Sequence, residues 1–183
     1  RQYRVILAKQ PHRVDVRSNL GAALVQLGQY SDAITEYQRA LTGDSRNVTI
    51  RFNLALAYYK AANFAEAAAE LQHVTAAQPD NTNALLLQAD CRLRLGEHKQ
   101  GIALLTPMDA QFSTNPIYAY LLGTALIYDK QIDKGQVLID RILRGGDSAE
   151  VRVMMGAAHL LTQDIQNALK EFERALALNP KTP

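Results

Sequence analysis

A small residue recurs inside apolar helical stretches at a nearly constant interval along the whole chain. Consecutive members are separated by about 34 residues, and two further series keep the same phase. Such a period predicts a stack of similar units, because a single unit cannot bury both of its apolar faces. The first series is Gly21, Ala55, Ala89, Gly123 and Gly156; the second, also small, is Ala33, Ala67, Gly101, Gly135 and Ala168; the third, bulky, is Tyr37, Leu71, Leu105, Ile139 and Phe172.

The apolar pattern within each unit predicts two amphipathic helices. In the first unit Leu20 and Leu24 recur at helical spacing, Gly28 marks a turn, and a second apolar stripe extends from Ala33 to Leu41. Small residues allow two helices to cross closely, and the bulky residue of the neighbouring helix fills the space beside them. The chain is therefore predicted to be all-α.

A period of about 34 residues in helix pairs resembles the tetratricopeptide repeat family. The first unit carries the pattern most fully, in Asn19-Leu20-Gly21 and again in Ala33-Ile34, and alanine-rich stretches such as 67–69 resemble the bacterial type. The resemblance implies a right-handed α-solenoid of about five helix–turn–helix repeats after a partial repeat. The expected boundaries are 1–13 for the tail of a preceding repeat, then 14–47, 48–81, 82–115, 116–148 and 149–183 for the five repeats.

The third and fourth repeats depart from this pattern. Gln88 and Arg92 stand where apolar residues are usual, and the fourth repeat has no closing proline. Pro107 lies within the second helix of the third repeat, where it removes a hydrogen bond. We expect that helix to kink or stop near 105–106 and residues 111–115 to form a long loop. Two interpretations stay open: Pro107 reshapes a binding groove, or it is a tolerated irregularity.

Helix ends carry further signals. Gly145-Gly146 is expected to end the second helix of the fourth repeat, and Asp147 or Ser148 to cap the helix that follows. The apolar stripe of the last helix is not followed by a polar capping helix, which a terminal repeat normally needs. We therefore expect the array to be part of a longer array or larger protein; the alternative is that the open edge is tolerated or covered by a second copy of the chain.

Nothing in the sequence predicts catalysis or a cofactor. The formal charge is +2, and aromatic and basic residues do not interleave as in a nucleic-acid site. Cys91 is the one cysteine and has no histidine beside it, and no glycine-rich phosphate loop occurs. No apolar run approaches the roughly 20 residues that span a bilayer. The compartment, cytoplasm or periplasm, stays open. The four histidines are too scattered to predict a metal site: His12, His73, His98 and His159.

The family resemblance implies that the first helices line a concave groove, where partners lie as extended peptides or helices. Asn19 and Asn53 occupy equivalent groove positions, and an amide can both donate to and accept from a peptide backbone. Apolar groove residues dominate towards the C-terminus; they either contact a partner or are buried between repeats. The candidate partner-binding residues are Asn19, Asn53, Phe52, Tyr59, Leu87, Tyr120, Leu121, Tyr128 and Met154.

These features predict a non-catalytic module that binds a peptide or helix of a protein partner and serves as an adaptor or scaffold. Two alternatives remain. The apolar stripe of the last helix, with Phe172, Leu176 and Leu178, would allow self-assembly into a homo-oligomer. The array would otherwise be the repeat portion of a larger enzyme or transport machine.

Overall fold

A computed structural model describes residues 2–112, 114–142 and 146–179. Every regular element in these ranges is helical, which confirms the predicted all-α class, and the chain divides into two compact units, Arg1–Leu95 and Gly96–Pro183. The α-helices are α1 (Gln2–Lys9), α2 (Val14–Gln26), α3 (Tyr30–Gly43), α4 (Val48–Lys60), α5 (Phe64–Ala77), α6 (Thr82–Arg94), α7 (His98–Leu105), α8 (Asp109–Phe112), α9 (Pro116–Tyr128), α10 (Ile132–Arg141), α11 (Ala149–Leu161) and α12 (Ile165–Leu178).

The first helix of four pairs begins at a capping side chain. Asn47 accepts a hydrogen bond from the Ile50 N–H at 3.1 Å, and the same geometry recurs in each of the next two repeats. A cap of this kind stabilises a helix by about 1 kcal/mol. Ser148 caps α11 through the Val151 N–H at 3.2 Å, which confirms one of the two expected caps. The other asparagine caps are Asn81 and Asn115.

The turn between the helices of a pair contains one residue with positive φ. At Gly28 the backbone N–H donates to the Val25 carbonyl at 3.0 Å, and the next N–H donates to the Leu24 carbonyl at 2.9 Å. These two bonds form a Schellman motif, which pairs carbonyls that a helix end leaves free. Glycine adopts this conformation readily, whereas other residues do so at a cost of about 1 kcal/mol. The five residues are Gly28, Ala62, Gly96, Lys130 and Gln163, with φ between 59° and 75°.

A glycine under a large side chain brings the paired helices together. A Cβ atom on Gly21 would lie 2.8 Å from the ring of Tyr37, and one on Gly156 would lie 2.5 Å from the ring of Phe172. Contacts this short leave no room for a methyl group. Gly123 is closed in the same way by Ile139, at 2.7 Å.

The second pair uses a different combination of sizes at the same two positions. Ala55 replaces the glycine, and Leu71, in the same buried cluster, replaces the aromatic ring. Both side chains are fully buried. Alanine is larger than the glycine that it replaces, and leucine is smaller than the aromatic residue that it replaces. The two changes compensate each other, as close packing requires.

Pro107 ends a helix, as the sequence predicts. α7 stops at Leu105, and a 3₁₀ turn over Thr106–Met108 follows. The expected loop over 111–115 is wrong in part: Gln111 and its neighbour belong to the short helix α8, and Asn115 caps α9. Proline has no N–H for the helical ladder but fits a short 3₁₀ turn, so the chain resumes helical structure immediately.

The expected glycine cap after α10 falls partly outside the described residues. Gly146 has φ of +116°, a conformation that favours glycine. Gly145 lies outside the part of the chain that the structure describes.

Cys91 belongs to the core of the first unit. Its side chain is 0% exposed and packs in the cluster that contains Val74 and Ala84. Burial raises the pKa of the thiol to about 12, and the nearby Asp90 carboxylate acts in the same direction. The thiol is therefore protonated at neutral pH and is a poor nucleophile.

The size matching between paired helices is testable by a double-mutant cycle. Gly21→Ala should destabilise the protein by about 1–3 kcal/mol, because the added methyl group overlaps the Tyr37 ring. Combining it with Tyr37→Leu recreates the Ala55–Leu71 combination, so the double variant should be more stable than the sum of the single effects predicts. Urea unfolding followed by circular dichroism measures all four proteins. Additive effects would contradict the proposed coupling.

The burial of Cys91 predicts that the native thiol does not react. At pH 8 the folded protein should show almost no reaction with Ellman's reagent, because the pKa of about 12 leaves little thiolate and burial blocks access. The unfolded protein in guanidinium chloride should react with one equivalent within minutes. Fast labelling of the native protein would indicate an activated cysteine.

Candidate protein-interaction surface

Three repeats contain the same ion pair between their first and second helices. The arginine lies on the first helix and the glutamate on the second, with N–O distances of 2.7, 2.6 and 2.7 Å. All six side chains are at least three-quarters buried, so solvent screens these pairs less than exposed ones. These pairs were not predicted from the sequence, although the repeat spacing of the arginines is a signal that could have indicated them. The pairs are Arg17–Glu36, Arg51–Glu70 and Arg152–Glu171.

Each of these arginines also holds the loop that leads into its helix. Arg17 donates to the carbonyl of Pro11 at 3.0 Å, and Arg51 donates to that of Ser45 at 2.9 Å. Arg152 forms its corresponding bond to the Asp147 carboxylate at 2.6 Å. The start of each first helix is thereby fixed to the second helix of the same repeat.

Two predicted asparagines lie on neighbouring first helices of the first unit. Asn19 on α2 is exposed, and Asn53 on α4 is half-buried; the two helices are in contact. Among the residues that the structure describes, neither side-chain amide has a hydrogen-bond partner. Both amides are therefore available to a ligand.

Tyr59 belongs to a polar and aromatic cluster of the first unit. Its hydroxyl donates to the Asp90 carboxylate, which also accepts a bond from Arg94 Nε at 3.0 Å. The Arg94 guanidinium lies 5.3 Å from the Tyr59 ring centroid and 5.1 Å from that of Phe64. Burial, followed by the hydrogen bond to Asp90, raises the pKa of Tyr59 to about 12. The cluster joins α4, α5 and α6 and holds the tyrosine rigidly.

Phe52 and Leu87 complete the predicted residues of the first unit. Both side chains are half-buried and pack against the core cluster that contains Ala55 and Leu71. Each therefore offers a partner only part of its apolar surface.

In the second unit the predicted residues differ strongly in exposure. Tyr128 is 51% exposed, and its ring stacks on His98 with centroids 4.6 Å apart. Tyr120 and Met154 are half-buried against the cluster of α9 and α11. Leu121 is only 5% exposed, so it offers a partner almost no surface, and we remove it from the candidate residues.

Histidines and carboxylates form local contacts instead of a ligand set. His159 Nδ1 lies 3.4 Å from the Asp164 carboxylate in the turn after α11. Within residues 2–112, 114–142 and 146–179, no three histidine, cysteine or carboxylate side chains form a metal-binding group. None of the helices in these ranges has the length and apolar character needed to cross a bilayer.

Known protein families match most of the chain. The TPR repeat family matches residues 21–61, and tetratricopeptide repeat families match residues 52–116 and 149–182. No curated protein matches the sequence.

Several solved structures resemble this one. TTC0263, a thermophilic TPR protein from Thermus thermophilus, is 20% identical with a TM-score of 0.73, and the match covers 92% of both chains. MamA from Desulfovibrio magneticus is 15% identical with a TM-score of 0.75, covering 92% of this chain and 96% of that one. YrrB, a TPR protein with an unusual peptide-binding site, is 14% identical with a TM-score of 0.69, covering 99% and 94%.

At these identities the similarity concerns the fold, which is that of an α-solenoid. The families matched are in general non-catalytic protein-interaction modules. The chain belongs to the tetratricopeptide repeat family.

Proposed function

We propose that this chain is a non-catalytic adaptor that binds an extended segment of a partner protein along the face of its first helices. The observation that carries the proposal is the pair of uncommitted amides at Asn19 and Asn53. Each amide can donate to a peptide carbonyl and accept from a peptide N–H, which allows binding without a particular partner side chain.

The spacing of the two asparagines suits an extended peptide. Helices in contact have axes about 10 Å apart, and an extended chain rises about 3.3 Å per residue. Asn19 on α2 and Asn53 on α4 would therefore bind backbone groups about two or four residues apart, because groups on one edge of an extended chain recur at every second residue. The side chains of the bound peptide would alternate in direction, so that every second one would face the repeat array.

Partly exposed apolar side chains of the array would contact the peptide side chains that face it. Phe52 and Leu87 keep part of their surface accessible, and Tyr59 is held by Asp90 and Arg94. Side chains already fixed by the core lose little conformational freedom on binding, which favours affinity. YrrB, a TPR protein with an unusual peptide-binding site, supports a peptide as the ligand of an array with this fold.

The asparagine pair can be tested with a double variant. Asn19→Ala with Asn53→Ala should weaken binding of a captured partner segment by about tenfold or more, because two hydrogen bonds of about 0.5–1.5 kcal/mol each are lost. The partner is identified by affinity capture from lysate and reduced to a binding peptide, and calorimetry then measures its affinity.

The matched control is Gln72→Ala, which removes an exposed amide from the second helix α5. It should leave the affinity unchanged, and both variants should unfold at the same urea concentration as the wild type. Equal affinities of the double variant and the wild type would exclude the asparagine pair as the binding site.

An exposed apolar stripe on α12 supports self-assembly as a second candidate function. Leu169 and Leu176 are 55% and 53% exposed, and Ile165 continues the stripe by one turn. Exposed apolar patches on proteins often mark contact sites. A second copy of the chain would cover this stripe.

Sedimentation tests this alternative. The wild-type mass should rise with concentration, whereas Leu169→Lys with Leu176→Lys should stay monomeric, because two charges would be buried in the interface. The control, Gln166→Lys with Glu173→Lys, adds lysines at exposed polar positions of the same helix and should still associate. A wild-type protein that is monomeric at high concentration would rule out self-assembly.

A further inference from the structure

A cleft of about 410 Å³ opens in the second unit between α7, α9 and α10. Leu122 and Leu126 of α9 form its floor, and Ile102 and Val137 contribute to its walls. Leu122 follows Tyr120 by two residues, which is about 200° around a helix. The cleft therefore lies on the opposite side of α9 from the predicted binding residue Tyr120, and it is independent of the asparagine surface.

Comparison with the second repeat explains why the cleft is open. In the second repeat the position equivalent to Leu126 is held by Tyr58. The Tyr58 hydroxyl accepts a hydrogen bond of 2.8 Å from the Gln38 amide. This bond spans the space between α4 and α3. In the second unit the position of Gln38 is held by Thr106, whose hydroxyl donates to the Ile102 carbonyl at 2.7 Å instead. A leucine and a short threonine leave the space unfilled.

The mouth of the cleft carries positive charge over the apolar floor. Arg141 is paired with Asp109 at 3.2 Å, whereas the Lys134 ammonium donates to the neutral amide of Gln131 at 3.0 Å. In the described part of the chain no carboxylate lies within ion-pairing distance of Lys134. The corresponding position of the first repeat holds an acid, Asp32, so the cation is a property of this cleft and not of the repeat.

We propose that this cleft binds a segment of a partner protein that carries a large apolar side chain next to a carboxylate. The volume falls in the range of ligand sites, about 300–1,000 Å³. The apolar side chain would pack against Val137, which is 55% exposed, and the half-buried Ile102, above the buried leucines of the floor, and this contact would supply the affinity. The carboxylate would pair with Lys134, which selects acidic over neutral or basic segments.

The probe is a short capped peptide with one leucine between glutamates, titrated into methyl-labelled protein and followed by NMR. The methyl signals of Leu122, Leu126 and Val137 should shift saturably, and those of the first unit should not. A glutamine-containing twin of the peptide should bind about threefold more weakly, as expected for an exposed ion pair. A twin with alanine in place of leucine should not bind measurably.

Two variants test the cleft itself. Leu126→Tyr copies the side chain that fills the second repeat and should abolish binding. Lys134→Glu should remove the preference for the acidic peptide. Lys170→Glu is the matched control, because Lys170 is an exposed lysine that also donates to a neutral amide, and it should bind like the wild type.

Three results would overturn the proposal: no saturable shift of the cleft methyl groups, equal binding of the glutamate and glutamine peptides, or concentration-dependent shifts without peptide, which would indicate a second copy in the cleft. Circular dichroism checks that the Leu126→Tyr variant folds. If that variant does not fold, Lys134→Glu still tests the cleft. Asn19→Ala with Asn53→Ala should leave peptide binding unchanged, which separates this site from the proposed function.

Discussion

The structure depends on the contact between a small residue of one helix and a bulky residue of its partner. Gly21 lies under the ring of Tyr37, and Gly156 lies under that of Phe172. Because protein interiors are close-packed, a larger residue at one position of such a crossing requires a smaller one at the other. Each pair can therefore exchange size between its two positions, but it cannot enlarge both. This constraint keeps the three residue series in phase from one end of the chain to the other.

Other local interactions repeat with the same period and hold each crossing in place. Asparagine caps such as Asn47 begin first helices, residues with positive φ such as Gly28 end them, and ion pairs such as Arg51–Glu70 join the two helices. All of these bonds join residues that are close together in the sequence. In such an array each repeat determines its own geometry, and the solvent-facing positions are free to vary. Side chains like Asn19 and Lys134 can differ between repeats without disturbing the stack.

The same locality explains what the sequence could predict. The helix pairs, the stop before Pro107 and the Ser148 cap follow from short spacings along the chain, and the structure confirms them. The surface was harder to predict. α9 is apolar around almost its whole circumference, so periodicity does not indicate which face is exposed, and Leu121 proves to be buried. The cleft beside Leu126 was not predicted, because it arises from the absence of a side chain that another repeat has.

Departures from the repeat pattern are therefore where this chain differs most from a generic array. A missing side chain at one repeat leaves a space that the neighbouring second helices do not fill. The helices keep their positions because the glycine crossing beside this space is intact. Gly123 and Ile139 keep that crossing beside the cleft floor of Leu122 and Leu126. The recurring contact between a small and a bulky residue stabilises the helix pair. The position that departs from the repeat pattern is therefore available to bind a partner. A single first helix such as α9 can in this way present Tyr120 on one side and the cleft residue Leu122 on the other.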